Sequence, residues 1–271
     1  DIWNEHGRYR IFFRRVITLT AKLISKWQAV GFVHGVMNTD NMTITGTTFD
    51  YGPYGFMDGF NINYTPNSSD VHRRYSFQQQ AEIGFWNINK LAATLVPLVG
   101  SDPLQEEIKQ YQPLFNRFYR EEMGRKLGIS ILDADFSQLI QEMFKLLFNH
   151  KLDYTNFFRL LANFPEQIGK SQFNPDLHSW LDRYLKLCDR ESIGHSERKK
   201  KMDAVNPKYI LRSHLIQHAL EKAKKDFDFT EIMRLRILLE LVVCPLWEAT
   251  VSCGQAWKQV QQALYVFLPL L

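Results

Sequence analysis

The chain is poor in the residues that staple small folds or hold soft metals. It has 3 cysteines in 271 residues, Cys188, Cys244 and Cys253. There is no C-x-x-C pair and no Cys/His spacing of a zinc site, which excludes a disulfide scaffold and a zinc centre. So sparse and odd a count suits a reducing compartment, and Cys244 and Cys253, although near enough in sequence to pair, read as inert thiols. No apolar run is long enough to cross a bilayer; the terminal ALYVFLPLL is far too short. No signal or transit segment opens the chain, which starts at Asp1 without a methionine and is expected to begin inside a longer protein. Charge of one sign is also lacking. Lys and Arg number 33 against 29 Asp and Glu, a net charge of +4, too little to argue for DNA or RNA. Internal repeats and low-complexity segments are absent.

What is present is enough apolar sequence for one large core or two smaller ones, at 45% hydrophobic residues. Residues 9–31 carry Ile11, Phe12, Val16, Leu19, Leu23, Ile24 and Trp27 at helical spacing, with Gly31 as the stop signal. This helix delivers the chain to a polar, glycine-rich stretch, residues 34–58, HGVMNTDNMTITGTTFDYGPYGFMD. Asp40, Asn41 and Asp50 within it are oxygen donors of the kind that a hard cation such as Mg²⁺ selects. The intervening residues 42–49 read as two short β-branched strands turning near Gly46, a hairpin that would set Asn41 beside Asp50. Gly35, Gly52, Pro53 and Gly55 mark turns where a backbone can approach phosphate closely.

An Asn and an Asp so placed look like the metal-holding pair of protein kinases. Laid on the kinase pattern H-R-D-L-x-x-x-N, His34 takes the His place and Asn41 the Asn place, but the catalytic Asp falls on Val36. A carboxylate does stand one residue before Asn41, at Asp40. The residues alone indicate phosphoryl or nucleotidyl transfer with a displaced base. His34 reads as a brace for the loop.

HGVMNTDNM followed by DYGPYGFMD resembles the SelO/YdiU family of pseudokinase-fold protein adenylyltransferases. RRVITLTAKLISKWQAVGFVHG, RRYSFQQQAEIGFWNINKLA and NPKYILR at 206–212 extend the likeness over roughly residues 9–240. The resemblance implies transfer of AMP from ATP to Ser, Thr or Tyr hydroxyls of proteins. It implies Asp40 as the proton acceptor, Asn41 and Asp50 as ligands of Mg²⁺ or Mn²⁺, and Asp50 also as a contact to bound nucleotide. It implies ATP and hydroxyl-bearing proteins as partners, with neither nucleic acid nor membrane, and a cytoplasmic or mitochondrial location. Family members often carry a cysteine where Pro66 stands here, so redox control through that position is not expected.

Two other readings stand beside it. A small-molecule kinase shares the H-G-x-x-x-x-x-N spacing, although Val36 argues against it. A catalytically silent helical interaction protein is the reading from another class. Its support is the missing phosphate clamp: no glycine-rich loop with a strand-borne lysine precedes His34.

The expected fold is mainly α: a protein-kinase-like C-terminal lobe with a short hairpin carrying the metal site, then a helical extension. The expected division is 1–100, a core with the catalytic and metal-binding loops; 101–240, the helical remainder; and 241–271, a divergent tail. Residues 59–74 read as an extended loop in which Arg74 could meet a phosphate, an acidic protein substrate or Asp70. Helices are expected over 76–97, with Ile83, Trp86, Ile88, Leu91 and Leu95 on one face, over 103–127, from 133 through 154 onward, and over 175–189. The ERKKK run at 197–201 reads as a solvated loop. Asn206 and Pro207 read as the start of a further helix, with Arg212 binding a carboxylate or a helix end. The N-x-[ST] sequons at Asn41, Asn63 and Asn67 read as chance matches.

Overall fold

A computed structural model describes residues 7–241. Its centre is α1 (Arg8–Val30), whose buried positions Phe13, Ile17, Ala21, Ile24 and Trp27 recur at helical spacing. Full burial of a side chain such as Ile17 contributes about 1.5–3 kcal/mol. The helix ends where expected. Gly31 adopts φ 72, and its N–H returns to the carbonyls of Gln28 and Trp27.

The chain then forms β1 (Phe32–Val33), paired antiparallel with β2 (Gly55–Phe56). This two-stranded ribbon is where the expected hairpin fails. Residues 42–49 form no ladder. The hydroxyls of Thr43, Thr45 and Thr47 bond one another and the Thr47 carbonyl instead, at 3.0–3.3 Å. A turn does occur near Gly46, but the strands lie outside the excursion and close its neck.

The α-helices of the rest of the described chain are α2 (Gln80–Val99), α3 (Ser101–Ile108), α4 (Tyr111–Leu127), α5 (Ala134–Asn149), α6 (Tyr154–Leu161), α7 (His178–Cys188), α8 (His195–Val205), α9 (Ser213–Asp226) and α10 (Thr230–Leu241). α1 packs chiefly on α4 and α2. The Tyr111, Phe115 and Tyr119 rings stack along α4 at centroid spacings of 6.4 and 5.9 Å. Buried Glu107 accepts from Arg10 at 2.6 Å and from Arg14 at 2.7 and 2.8 Å, tying α3 to the first turns of α1. Those guanidiniums, Arg14 foremost, hold the Glu107 carboxyl below its usual range.

Several boundaries differ from expectation. The helix expected over 103–127 is two, α3 and α4. The helix expected to run on past 133 is α5 and α6, each started by an aspartate: Asp133 accepts from Phe136 N, and Asp153 from Asn156 N. ERKKK lies on α8 and not in a loop. Glu197–Lys201 and Lys199–Asp203 pairs support the helix, while buried Arg198 reaches the Cys188 carbonyl at 3.2 Å. Residues 206–212 are not helical, and α9 begins at Ser213. Trp86, expected in the core face of α2, is 37% exposed. Cys188 is buried, which pushes its thiol up to about 11; Cys244, Cys253 and the tail from residue 242 lie outside the described residues.

Among the described residues no helix is long and apolar enough to cross a membrane.

Candidate active site

Residues 34–54 leave β1 and return to β2 with almost no ladder of their own. Where this segment is buried, its polar backbone groups need partners other than a ladder. Amide side chains are among them. Gln80, fully buried, accepts from His34 N and donates to the Phe32 carbonyl, both at 3.0 Å. Asn67 donates to the Gly35 carbonyl at 3.1 Å, and Asn87 to the Met37 carbonyl at 2.9 Å. Gln28 in turn donates to the carbonyl of Phe77, at the entry to α2.

Gly35 is required by both conformation and space. Its φ is 81, and a Cβ there would stand 2.4 Å from the Pro53 carbonyl oxygen and 3.2 Å from Pro66. Segments 35, 53 and 66 thus converge at one point.

His34 is wholly buried against Trp27 and Phe32, with ring centroids 5.4 and 6.4 Å away. Burial drives its pKa down, so the imidazole is neutral at pH 7. Nε2 lies 2.8 Å from the Phe49 carbonyl; a carbonyl only accepts, so Nε2 carries the proton. Nδ1 is buried without a partner. The bracing role read from sequence is what the geometry supports, since His34 grips the peptide immediately before Asp50.

Asp50 itself is exposed at φ 51, a left-handed conformation that aspartate tolerates better than most residues. The residues after it are anchored by rings. Tyr51 and Tyr54 pack on Phe32 at 6.4 and 5.8 Å and on each other at 5.3 Å. Burial pushes the Tyr54 phenol up to about 12 and Tyr51 further, so both stay neutral. Trp27 Nε1 donates to Thr48 Oγ1 at 3.0 Å, fixing the approach to Asp50 from the other side.

Asp40 and Asn41 lie on a short 3₁₀ turn, Thr39–Asn41. Asn41 is buried and donates Nδ2 to the Val36 carbonyl at 3.2 Å. That bond orients the amide and leaves Oδ1 as its acceptor. Asp40 is exposed. Tyr75 donates its hydroxyl to Asn38 Oδ1, bracing the residue that opens the turn. Asn41 and Asp50 are therefore fastened to one stretch of backbone, Asn41 at Val36 and Asp50 through His34 and Phe49, rather than joined by a hairpin.

The donor set fits a hard cation. An amide oxygen and a carboxylate suit Mg²⁺, which usually keeps waters and shares its shell with substrate phosphates. Among the described residues no group of three or more His, Cys, Asp or Glu could hold a metal unaided.

Reading the sequence did not find Gln80, Asn67, Asn87 or Tyr75. A signal existed for two of them: Gln80 and Asn87 are polar residues at core-facing positions of α2, in step with Ile83 and Gly84. Asn67 and Tyr75 act from a loop, where no periodicity marks them. The Asn67 and Asn41 amide nitrogens are both engaged in the fold. Arg212 does bind carboxylates. It pairs with Asp58 just beyond β2 and with Asp153, the latter at 2.9 Å.

The family model described as protein adenylyltransferase SelO matches residues 1–240. The protein nucleotidyltransferase YdiU of Aliivibrio salmonicida is 40% identical over 244 residues, covering 88% of this chain and 50% of that protein. The YdiU proteins of Vibrio atlanticus, 41% identical over 241 residues, and Pseudomonas fluorescens strain SBW25, 40% over 238, cover 87% and 85% of this chain. The alignment takes in 50% and 49% of those two proteins, so the chain spans about half the length of these relatives. With the loop that carries Asp40, Asn41 and Asp50 lying inside the matched region, the chain belongs to the SelO family.

Proposed function

We propose that this chain carries the catalytic and metal-binding loops of a protein adenylyltransferase, which moves AMP from ATP to Ser, Thr or Tyr hydroxyls of proteins. The observation that carries the reading is the common anchorage of the Asp40–Asn41 turn and of Asp50 on residues 34–36. It holds a carboxylate that can accept a proton one residue from an oriented amide oxygen.

Asn41 Oδ1 and the Asp50 carboxylate would hold Mg²⁺ or Mn²⁺, which when bound neutralises phosphate charge. Exposed Asp40 is free to take the proton of an incoming hydroxyl as its oxygen attacks the α-phosphorus of ATP. The bond from that phosphorus to the bridging oxygen breaks, and pyrophosphate leaves. Neutral His34, enclosed and bonded to Phe49, takes no proton in this scheme; it keeps Asp50 in place. Tyr51 and Tyr54, held neutral, add no charge that would compete for the cation.

The test is transfer from ATP labelled on either the α- or the γ-phosphate to a mixture of hydroxyl-bearing proteins, by this chain and by Asp40→Asn. The reading requires α-label on protein, with loss of about 10²–10⁴-fold in the variant, the range for a removed general base. Transfer of γ-label instead would make the chain a kinase. Transfer of neither label by the wild-type chain would leave no transferase activity to assign to it.

A further inference from the structure

Beside the Asp40 turn lies a group of cations that the scheme above does not use. Arg74 places its guanidinium 5.0 Å from the centroid of Trp86 and 5.6 Å from that of Tyr75. Lys90, one turn along α2 from Trp86, places Nζ 5.0 Å from the same indole. The arrangement is anchored to the catalytic turn at two points. Tyr75 donates to Asn38, which opens the turn. Lys90 lines a cavity of about 300 Å³ together with Thr39, Met42 and Thr43 of the turn region.

Neither cation has an acidic partner among the described residues. Asp70, the carboxylate nearest to Arg74 in sequence, has both oxygens occupied by backbone: Oδ1 accepts from Arg74 N and Oδ2 from Tyr75 N, each at 2.8 Å. It shapes the turn on which Arg74 stands and does not pair with its side chain. Glu82, one turn before Trp86 on α2, pairs with neither Arg74 nor Lys90. Trp86 and Arg74 are exposed, as is Lys90.

Stacking on an aromatic face holds a guanidinium in place while its in-plane N–H groups remain open to an incoming carboxylate. A carboxylate meeting Arg74 there would find a preordered donor set, with Lys90 adding a second charge. We propose that Arg74 and Lys90 on Trp86 form a docking shelf for an acidic segment of the protein substrate, so that hydroxyls flanked by Asp or Glu are preferred. This inference rests on the reading of the chain as a protein-modifying transferase, and its test is chosen to fail separately from that reading.

The probe is a fluorescent peptide with no hydroxyl side chain and four glutamates, compared by anisotropy with its glutamine counterpart, in the absence of ATP. The shelf requires the acidic peptide to bind the 271-residue chain roughly tenfold more tightly, with the difference reduced at high salt. The double variant Arg74→Gln, Lys90→Gln should bind both peptides alike while keeping the wild-type thermal midpoint and Mg²⁺–ATP affinity. Equal binding of the two peptides by the wild-type chain overturns the proposal. So does a double variant that loses ATP affinity and keeps its peptide preference, because the cations then serve the nucleotide. If the acidic preference is found but no α-label is ever transferred, the shelf stands and the transferase reading falls.

Discussion

Gly35 is the residue at which the loop is least forgiving. A Cβ would be forced against the Pro53 carbonyl at 2.4 Å in a backbone conformation that L-residues avoid. Gly35→Ala should cost about 2–4 kcal/mol, combining left-handed strain with overpacking, read as a lowered urea midpoint. A midpoint unchanged from wild type would mean that the three segments do not meet there. His34 makes a different prediction. Its pKa is lowered in the folded protein by burial, so the unfolded chain binds its proton more readily. Stability should therefore be full above the ordinary histidine pKa of about 6.5 and fall as pH drops below it towards the folded value. The sign is that of a depressed group: acid costs stability, alkali does not. The measurement is the urea midpoint between neutral and mildly acidic pH for wild type and His34→Gln, in which that share of the decline should be missing. Parallel profiles would show that His34 is not held neutral. Asp40, Asn41 and Asp50 were legible as hard-oxygen donors because their type and spacing are local facts. The amides of Gln80, Asn67 and Asn87 were not, because what they satisfy lies 32 to 50 residues away in the chain.

At the level of elements, periodicity found α1 and its Gly31 stop, since 3.6-residue spacing and a left-handed cap are properties of the segment itself. The hairpin at 42–49 was misread because Thr and Ile favour strands only when a partner strand completes the ladder, and here threonine hydroxyls bond one another instead. The true strands are two residues each, too short to leave a pattern. The ERKKK run hid a helix because the one residue of the run on the buried face is an arginine, Arg198, and the apolar residues of that face, Met202 and Val205, follow the run. One tie between elements can be tested directly. Arg212 connects the segment before α9 to Asp58 beyond β2 and to Asp153 at the start of α6. A double-mutant cycle of Arg212→Ala with Asp58→Ala should give a coupling of about 0.5–1 kcal/mol, since Asp58 is half exposed and water screens the pair. Additive effects would show that the pair does not form.

For the whole molecule, the fold serves to hold one irregular loop. Two apolar clusters, one around α1 and α2 and one around α5 to α7, meet at the β1–β2 ribbon. Phe32 and Phe56 belong to the first cluster, and Val33 and Met57 to the second. Strand residues on both sides of the loop are thus set in the core, which fixes where the loop leaves and returns. The mainly helical class was legible from composition and periodicity; this clamping of a loop between two clusters was not, because it depends on which distant helices share a core. The central claim is that Asn41 and Asp50 on that loop hold a cation for a nucleotide. The most direct measurement is calorimetric titration of ATP into the 271-residue chain with and without Mg²⁺, for wild type and Asp50→Asn, a substitution that tolerates the left-handed backbone but removes the charge. The account requires binding that depends on Mg²⁺ and weakens at least about tenfold in the variant. Absence of binding by the wild-type chain, or binding indifferent to both Mg²⁺ and the charge at position 50, would contradict it.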